Sequence, residues 1–182
     1  MVIKESNQLY TQLNNGKSMP LLGLGTYNMF GEVVTDAVQT ALETGYRLID
    51  GAQMYHNEKE VGEGIRRSGI PRDEIFITTK IDNCNQGFDE TLHSYEKSVK
   101  DLGIEPDLIL IDYIDLLSTR KRNVDRKGEI DDIYTSTKGL ARELNLPIWS
   151  VSQVNRAGAK DDVIEGDKAA GSYDKMMVTD VA

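Results

Sequence analysis

The chain has 182 residues, 39% hydrophobic and 28% charged, with a formal net charge of −9. That is the size and composition of one soluble globular domain, and the acidic balance disfavours general affinity for nucleic acid. No apolar run approaches the roughly 20 residues of a membrane helix, and a single cysteine, Cys84, excludes an internal disulfide framework.

From the N-terminus, MVIKESNQLY has no apolar leader core, and with its lone thiol the chain fits a reducing, cytoplasmic setting. Two histidines, His56 and His93, argue against a Cys/His metal cluster. Leu9 to Leu13 and Ser18 to Leu21 read as a hairpin, with Asn14-Asn15-Gly16 supplying the positive φ of its turn. Leu22 to Gly25 is the first strand of a parallel series. The helix after it puts Val34, Ala37, Val38, Ala41 and Leu42 on one face, and Gly45 ends it. Arg47 to Asp50 is the second strand, and a helix over about 57–67 turns Val61 and Ile65 inward. Ile75 to Thr79 is the third strand, and Leu92, Tyr95, Val99 and Leu102 stripe a helix over about 89–102. Leu108-Ile109-Leu110-Ile111 is a continuous apolar run, as a strand buried on both faces requires. A helix over about 129–144 follows, then strands at Pro147 to Val151 and Lys175 to Val181, with long polar loops at 118–128 and 155–171. This alternation predicts an α/β domain spanning residues 1–182, with a six-stranded, mostly parallel sheet, flanking helices and the N-terminal hairpin.

Residues from about 8 to 103 carry several motifs in order: Leu13 to Pro20, Gly23-Leu24-Gly25-Thr26, Gly45 to Asp50, Tyr55 to Gly62 and Phe76 to Lys80. Together they resemble the N-terminal half of an aldo/keto reductase, a barrel family. The resemblance implies three of four catalytic residues: Tyr55 as proton donor to a carbonyl, and Lys80, paired with Asp50, as the cation that favours the phenolate. A phenol donates a proton poorly near neutral pH unless a cation stabilises its anion. The residue types alone favour a structural Asp50–Lys80 ion pair beside a packed Tyr55. The family's fourth catalytic residue is a histidine at the end of strand four, and here that position is Asp112, whose charge opposes phenolate formation. The family also binds its nicotinamide cofactor largely through the second half of its barrel.

From about Glu105 the resemblance changes. Pro106 to Tyr113, Thr137 to Leu144, Ile148 to Arg156 and Ala170 to Val181 are similar to the core of a RecA-like hexameric helicase. By that likeness Asp112 is a Walker B carboxylate holding Mg²⁺ through water, and Gln153 is a sensor of the nucleotide γ-phosphate. The glycine-rich Walker A loop, with its lysine, occurs nowhere in the chain, so ATP hydrolysis is not expected. The basic run Arg120 to Lys127 reads as a solvated loop, since it has no aromatic for base stacking.

The change of family at 103–106 falls between a helix and a strand, where a graft disturbs least. Read together, the two resemblances predict an engineered chimera of reductase-derived (1–104) and helicase-derived (105–182) segments. Such a chain would have no catalytic function, cofactor or specific small-molecule, nucleic-acid or membrane partner, and would be a monomer or weak homodimer. The alternatives are a residual NADP(H)-dependent carbonyl reductase and a nucleotide or nucleic-acid binding module. Four reductase strands alone would expose an apolar inner face. An open three-layer RecA/Rossmann-like sandwich is therefore preferred, its first strand inserted centrally in the order 2-3-4-5-1-6, over a curled half-barrel in sequential order.

Overall fold

The computed structural model describes residues 9–13, 15–82, 88–112 and 126–151. Gln153, the basic run up to residue 125, and the strand expected at Lys175 to Val181 lie outside them. A short antiparallel hairpin, β1 (Tyr10–Gln12) and β2 (Ser18–Pro20), comes first. Its turn uses Gly16 at φ +82, the positive angle expected there. Then follow β3 (Leu24–Gly25), α1 (Glu32–Glu43), β4 (Leu48–Asp50), α2 (Glu58–Ser68) and β5 (Phe76–Lys80). The series continues with α3 (Phe88–Leu102), β6 (Leu108–Ile111), α4 (Arg126–Leu144) and β7 (Ile148–Ser150).

The five strands β3 to β7 form one parallel sheet in sequential order. Because strand side chains alternate, the register sorts them onto two faces. Ile49, Ile77, Ile109 and Ile111 point toward the helices. There Ile49 and Ile77 join Val34, Val38, Leu42, Val61, Ile65 and Leu102, while Ile109 and Ile111 join Tyr95, Ile133, Tyr134 and Leu146. The opposite face carries Leu48, Phe76 and Leu108 near the strand N-termini and Asp50, Thr78 and Lys80 further along. Leu13 of the hairpin packs with Phe76 and Leu108, so the hairpin covers the N-terminal end of this second face.

The sandwich order 2-3-4-5-1-6 is therefore wrong. β3 lies at the sheet edge, paired with β4 through Leu24↔Ile49 and Gly25↔Asp50. The curled sheet that was the alternative agrees with what is observed. Two features remove the objection that led to the sandwich. Part of the supposedly apolar inner face is polar and hydrogen-bonded to itself, and the hairpin covers Phe76 and Leu108, while Trp149, level with Leu110, stays 43% exposed. Each helix also connects a strand to its immediate neighbour, the usual short crossover, and needs no jump over three strands.

Candidate functional site

Lys80 is the last residue of β5 and lies level with Leu110 of β6, while Asp50 ends β4 opposite Thr78. Two adjacent parallel strands thus bring a lysine and an aspartate side by side at their C-terminal ends. The Lys80 ammonium donates to both Asp50 carboxylate oxygens at 2.8 Å and to the Gly51 carbonyl at 2.9 Å. The Thr78 hydroxyl donates to Asp50 Oδ1 at 2.6 Å. With a carboxylate held by two partners and an ammonium by three acceptor oxygens, both heads are fixed, although each side chain is about one-third exposed (27% and 37%). A pair as open as this contributes little to stability, so its tight geometry points to orientation.

Tyr55 ends a single 3₁₀ turn, Gln53–Tyr55, that leaves β4. Lys80 Nζ lies 5.3 Å from the centroid of its ring. The expected trio of Asp50, Tyr55 and Lys80 is therefore assembled in one place. His56, at φ +53, breaks the turn and lets α2 begin at Glu58. Asn57 sits where a helix cap would, yet makes no cap bond. Its buried amide instead donates to the carbonyls of Thr26 (2.8 Å) and Met29 (2.9 Å). That clamp ties the loop after β3 to the start of α2. It places Tyr27 against Tyr55, edge to face with centroids 5.1 Å apart. Tyr27 is 71% exposed, so an apolar ring stands beside Tyr55 at the surface; Phe30 (59%) and Met54 (54%), on the two loops that carry these tyrosines, are also exposed.

Thr78, Asn57 and Tyr27 are the positions that reading the sequence missed. Thr78 was legible in principle, since strand alternation puts it on the Asp50 side, whereas the roles of Asn57 and Tyr27 depend on a contact between segments 30 residues apart. Asp112 follows β6 directly and is exposed. Among the described residues Lys80 pairs with Asp50 and not with Asp112. The same residues contain no group of three or more His, Cys, Asp or Glu placed to hold a metal ion, and no helix long and apolar enough to cross a membrane.

Behind the site, the Thr79 hydroxyl donates to Glu58 Oε1 at 2.8 Å, buried between β5 and α2. Burial pushes the Glu58 carboxyl above the usual carboxylate range, with Asp101 adding to the rise and the Thr79 hydroxyl and the Lys97 ammonium opposing it. With its folded value raised, Glu58 contributes fully to stability in acid, and that contribution is lost as pH rises through the raised value. Glu58→Gln keeps an acceptor for Thr79 and never ionises. It is expected to melt a few degrees higher than the parent at pH 8 and to converge with it near pH 4. Melting curves across that range check this, and a gap independent of pH would refute it.

The model of the aldo/keto reductase family matches residues 21–164. Morphine 6-dehydrogenase of Pseudomonas putida is 37% identical over 156 residues, covering 84% of this chain and 50% of that enzyme. Glyoxal reductase of Bacillus subtilis is 43% identical over 106 residues, 58% of this chain and 36% of that enzyme. The chain thus spans about half or less of the length of such relatives. Among solved structures, an aldo/keto reductase from Brucella melitensis superposes with a TM-score of 0.65 at 32% identity, over 80% of this chain and 55% of the other. A Bombyx mori aldo-keto reductase in complex with NADP gives 0.64 at 27%, over 86% and 55%.

These findings correct the sequence reading. The family match crosses the supposed junction at 103–106 and continues to residue 164, and the comparisons give no support to a helicase-derived segment. The inert chimera is overturned. So is the expectation of no enzyme, cofactor or small-molecule partner, since the relatives are named dehydrogenases and reductases and one was solved with NADP.

Proposed function

Because the chain belongs to the aldo/keto reductase family, we propose that it takes part in NADP(H)-dependent reduction of carbonyl compounds, with Tyr55 as the proton donor. The observation that carries this reading is the Lys80 ammonium, fixed by Asp50 and the Gly51 carbonyl and lying 5.3 Å from the Tyr55 ring centroid. A positive charge held there stabilises the phenolate left when Tyr55 gives its proton to a carbonyl oxygen. Asp50 keeps the lysine aimed, and Thr78 keeps Asp50 aimed. The Tyr27 ring, edge to face on Tyr55, shields one side of the proton donor from water.

The residues present fit the nicotinamide end of such a cofactor. Among the described residues nothing lies within 4 Å of where a Gly25 side chain would begin, which leaves the strand end beside Asp50 open to a flat ring. The described loops after β3, β4, β5 and β6 (26–31, 51–57, 81–82 and 112) contain no Lys or Arg, so they offer no cation to a diphosphate. When bound, the nicotinamide supplies hydride to the carbonyl carbon.

The test is to titrate the full chain with NADPH, following its fluorescence, and then to measure NADPH oxidation with methylglyoxal and glyoxal. Saturable binding and turnover are expected. Absence of both would overturn the reading.

A further inference from the structure

We propose that Gln53 is a positioning residue for proton donation by Tyr55: its buried amide ties the turn that carries Tyr55 to the end of the strand that carries Lys80. This rests on the carbonyl-reducing role proposed above and adds what sets the distance between the donor and its cation.

The two groups are held in different ways. Lys80 is fixed at the end of β5 by its bonds to Asp50 and to the Gly51 carbonyl. Tyr55 ends a single 3₁₀ turn closed by two backbone bonds, Tyr55 N–H to the Ala52 carbonyl (3.0 Å) and His56 N–H to the Gln53 carbonyl (3.2 Å). One such turn has little stability of its own, so the place of its tyrosine depends on tertiary bonds. Burial along the turn locates them. Gln53 (5% exposed) and Asn57 (1%) are buried, Met54 and His56 are exposed, and Tyr55 is half-buried. Tyr55 is thus slung between buried amides two residues before it and two residues after it. Asn57 bonds toward β3, through the carbonyls of Thr26 and Met29. Gln53 bonds to the other side. Its Nε2 donates to the Ser94 carbonyl of α3 at 3.1 Å, and its Oε1 accepts from the Asp82 N–H at 3.3 Å, two residues beyond Lys80.

Those two partners call for an amide. A carbonyl needs a donor and an N–H needs an acceptor, and glutamine presents one of each on a single planar group. The bond to Asp82 matters most for the reaction, because it joins the Tyr55 turn to the segment that leaves Lys80. That segment is itself anchored, since the Ile81 N–H donates to the Leu110 carbonyl of β6 at 3.0 Å. The 5.3 Å separation of Lys80 Nζ from the Tyr55 ring centroid is therefore spanned by a closed path through Gln53, Asp82 and Lys80. Without the amide the path opens, and the turn can pivot about its Asn57 anchor. A displacement of about 1 Å at a reacting group costs up to about a hundredfold in rate. Gln53 is too deeply buried to meet a substrate, so it acts through Tyr55.

Gln53→Met and Gln53→Leu remove both bonds at similar side-chain volume. Each is made in the parent and in Tyr55→Phe, and the full chain is assayed with NADPH and methylglyoxal. In the parent both are expected to lower kcat by about ten- to a hundredfold, with KM for methylglyoxal and Kd for NADPH within about twofold. In the Tyr55→Phe background the same changes should alter kcat by less than about twofold, because a residue that works through the phenol has no hydroxyl left to position. Thermal melts identify which variants are folded at the assay temperature. Parental kcat in a folded variant, a loss expressed in KM instead of kcat, or an equal loss with and without the Tyr55 hydroxyl overturns the inference and leaves carbonyl reduction standing. Loss of the fold in both variants also overturns it, since the amide would then serve stability. No turnover of any carbonyl by the parent removes both readings together.

Discussion

Tyr55→Phe is expected to lower kcat/KM for carbonyl reduction by a factor of about 10²–10⁴, the range that a positioned proton donor supplies, with the melting temperature almost unchanged. Phenylalanine keeps the ring that packs edge to face on Tyr27 and lies near the Lys80 ammonium. Only the hydroxyl is lost. Lys80→Met should cause a loss of similar order by a different route. It removes the charge that favours the phenolate and leaves Asp50 with the Thr78 hydroxyl as its remaining side-chain donor. Asp50 is more than one-third exposed, so water can solvate it and the fold should survive. NADPH oxidation with methylglyoxal, beside thermal melts, separates the two effects. If Tyr55→Phe turned over at the parental rate, the proton would have to come from elsewhere and the proposed role of Tyr55 would fall.

Most of the elements, and the proximity of Asp50, Tyr55 and Lys80, could be read from the sequence, because they follow from local periodicity and closely spaced motifs. Of the stripe Val34, Ala37, Val38, Ala41 and Leu42 expected on α1, all but the half-buried Ala37 are buried. The run Leu108 to Ile111 is β6 to the residue. The first turn of α4 was read as loop, because Arg126-Lys127-Gly128 has loop composition, and helix continuation there depends on context beyond that triplet. Strand order was misread for a related reason. Periodicity reports which face of a strand is buried but not which strand lies beside it. The inner face is not uniformly apolar, since alternation puts Asp50, Thr78 and Lys80 there. The supposed change of family after residue 104 rested on four segments, and the family match runs through the first three of them and ends at residue 164, before Ala170 to Val181.

The close approach of helices holds the strand ends in place, and Gly62 is where it is tightest. A Cβ built on Gly62 of α2 would stand 2.0 Å from the Leu102 carbonyl oxygen and 2.8 Å from its carbonyl carbon, both backbone atoms at the end of α3. Backbone cannot rotate away as a side chain can, so the two helices must separate. In helix propensity alone, Gly→Ala would gain about 1 kcal/mol. Separating α2 from α3 also exposes Val61 and Leu102, buried in the cluster beneath Ile77. Gly62→Ala is therefore expected to destabilise the domain by about 3 kcal/mol, toward the upper end for overpacked cores, or roughly 6–12 °C in melting temperature. Gly139 of α4 is the control, since among the described residues a Cβ there meets nothing within 4 Å. Gly139→Ala should gain about 1 kcal/mol, or roughly 2–4 °C, from the same propensity that Gly62→Ala cannot use. Opposite signs for one chemical change at two helical glycines would place the effect in the α2–α3 contact. Equal shifts at both positions would show that these helices do not meet as closely as described.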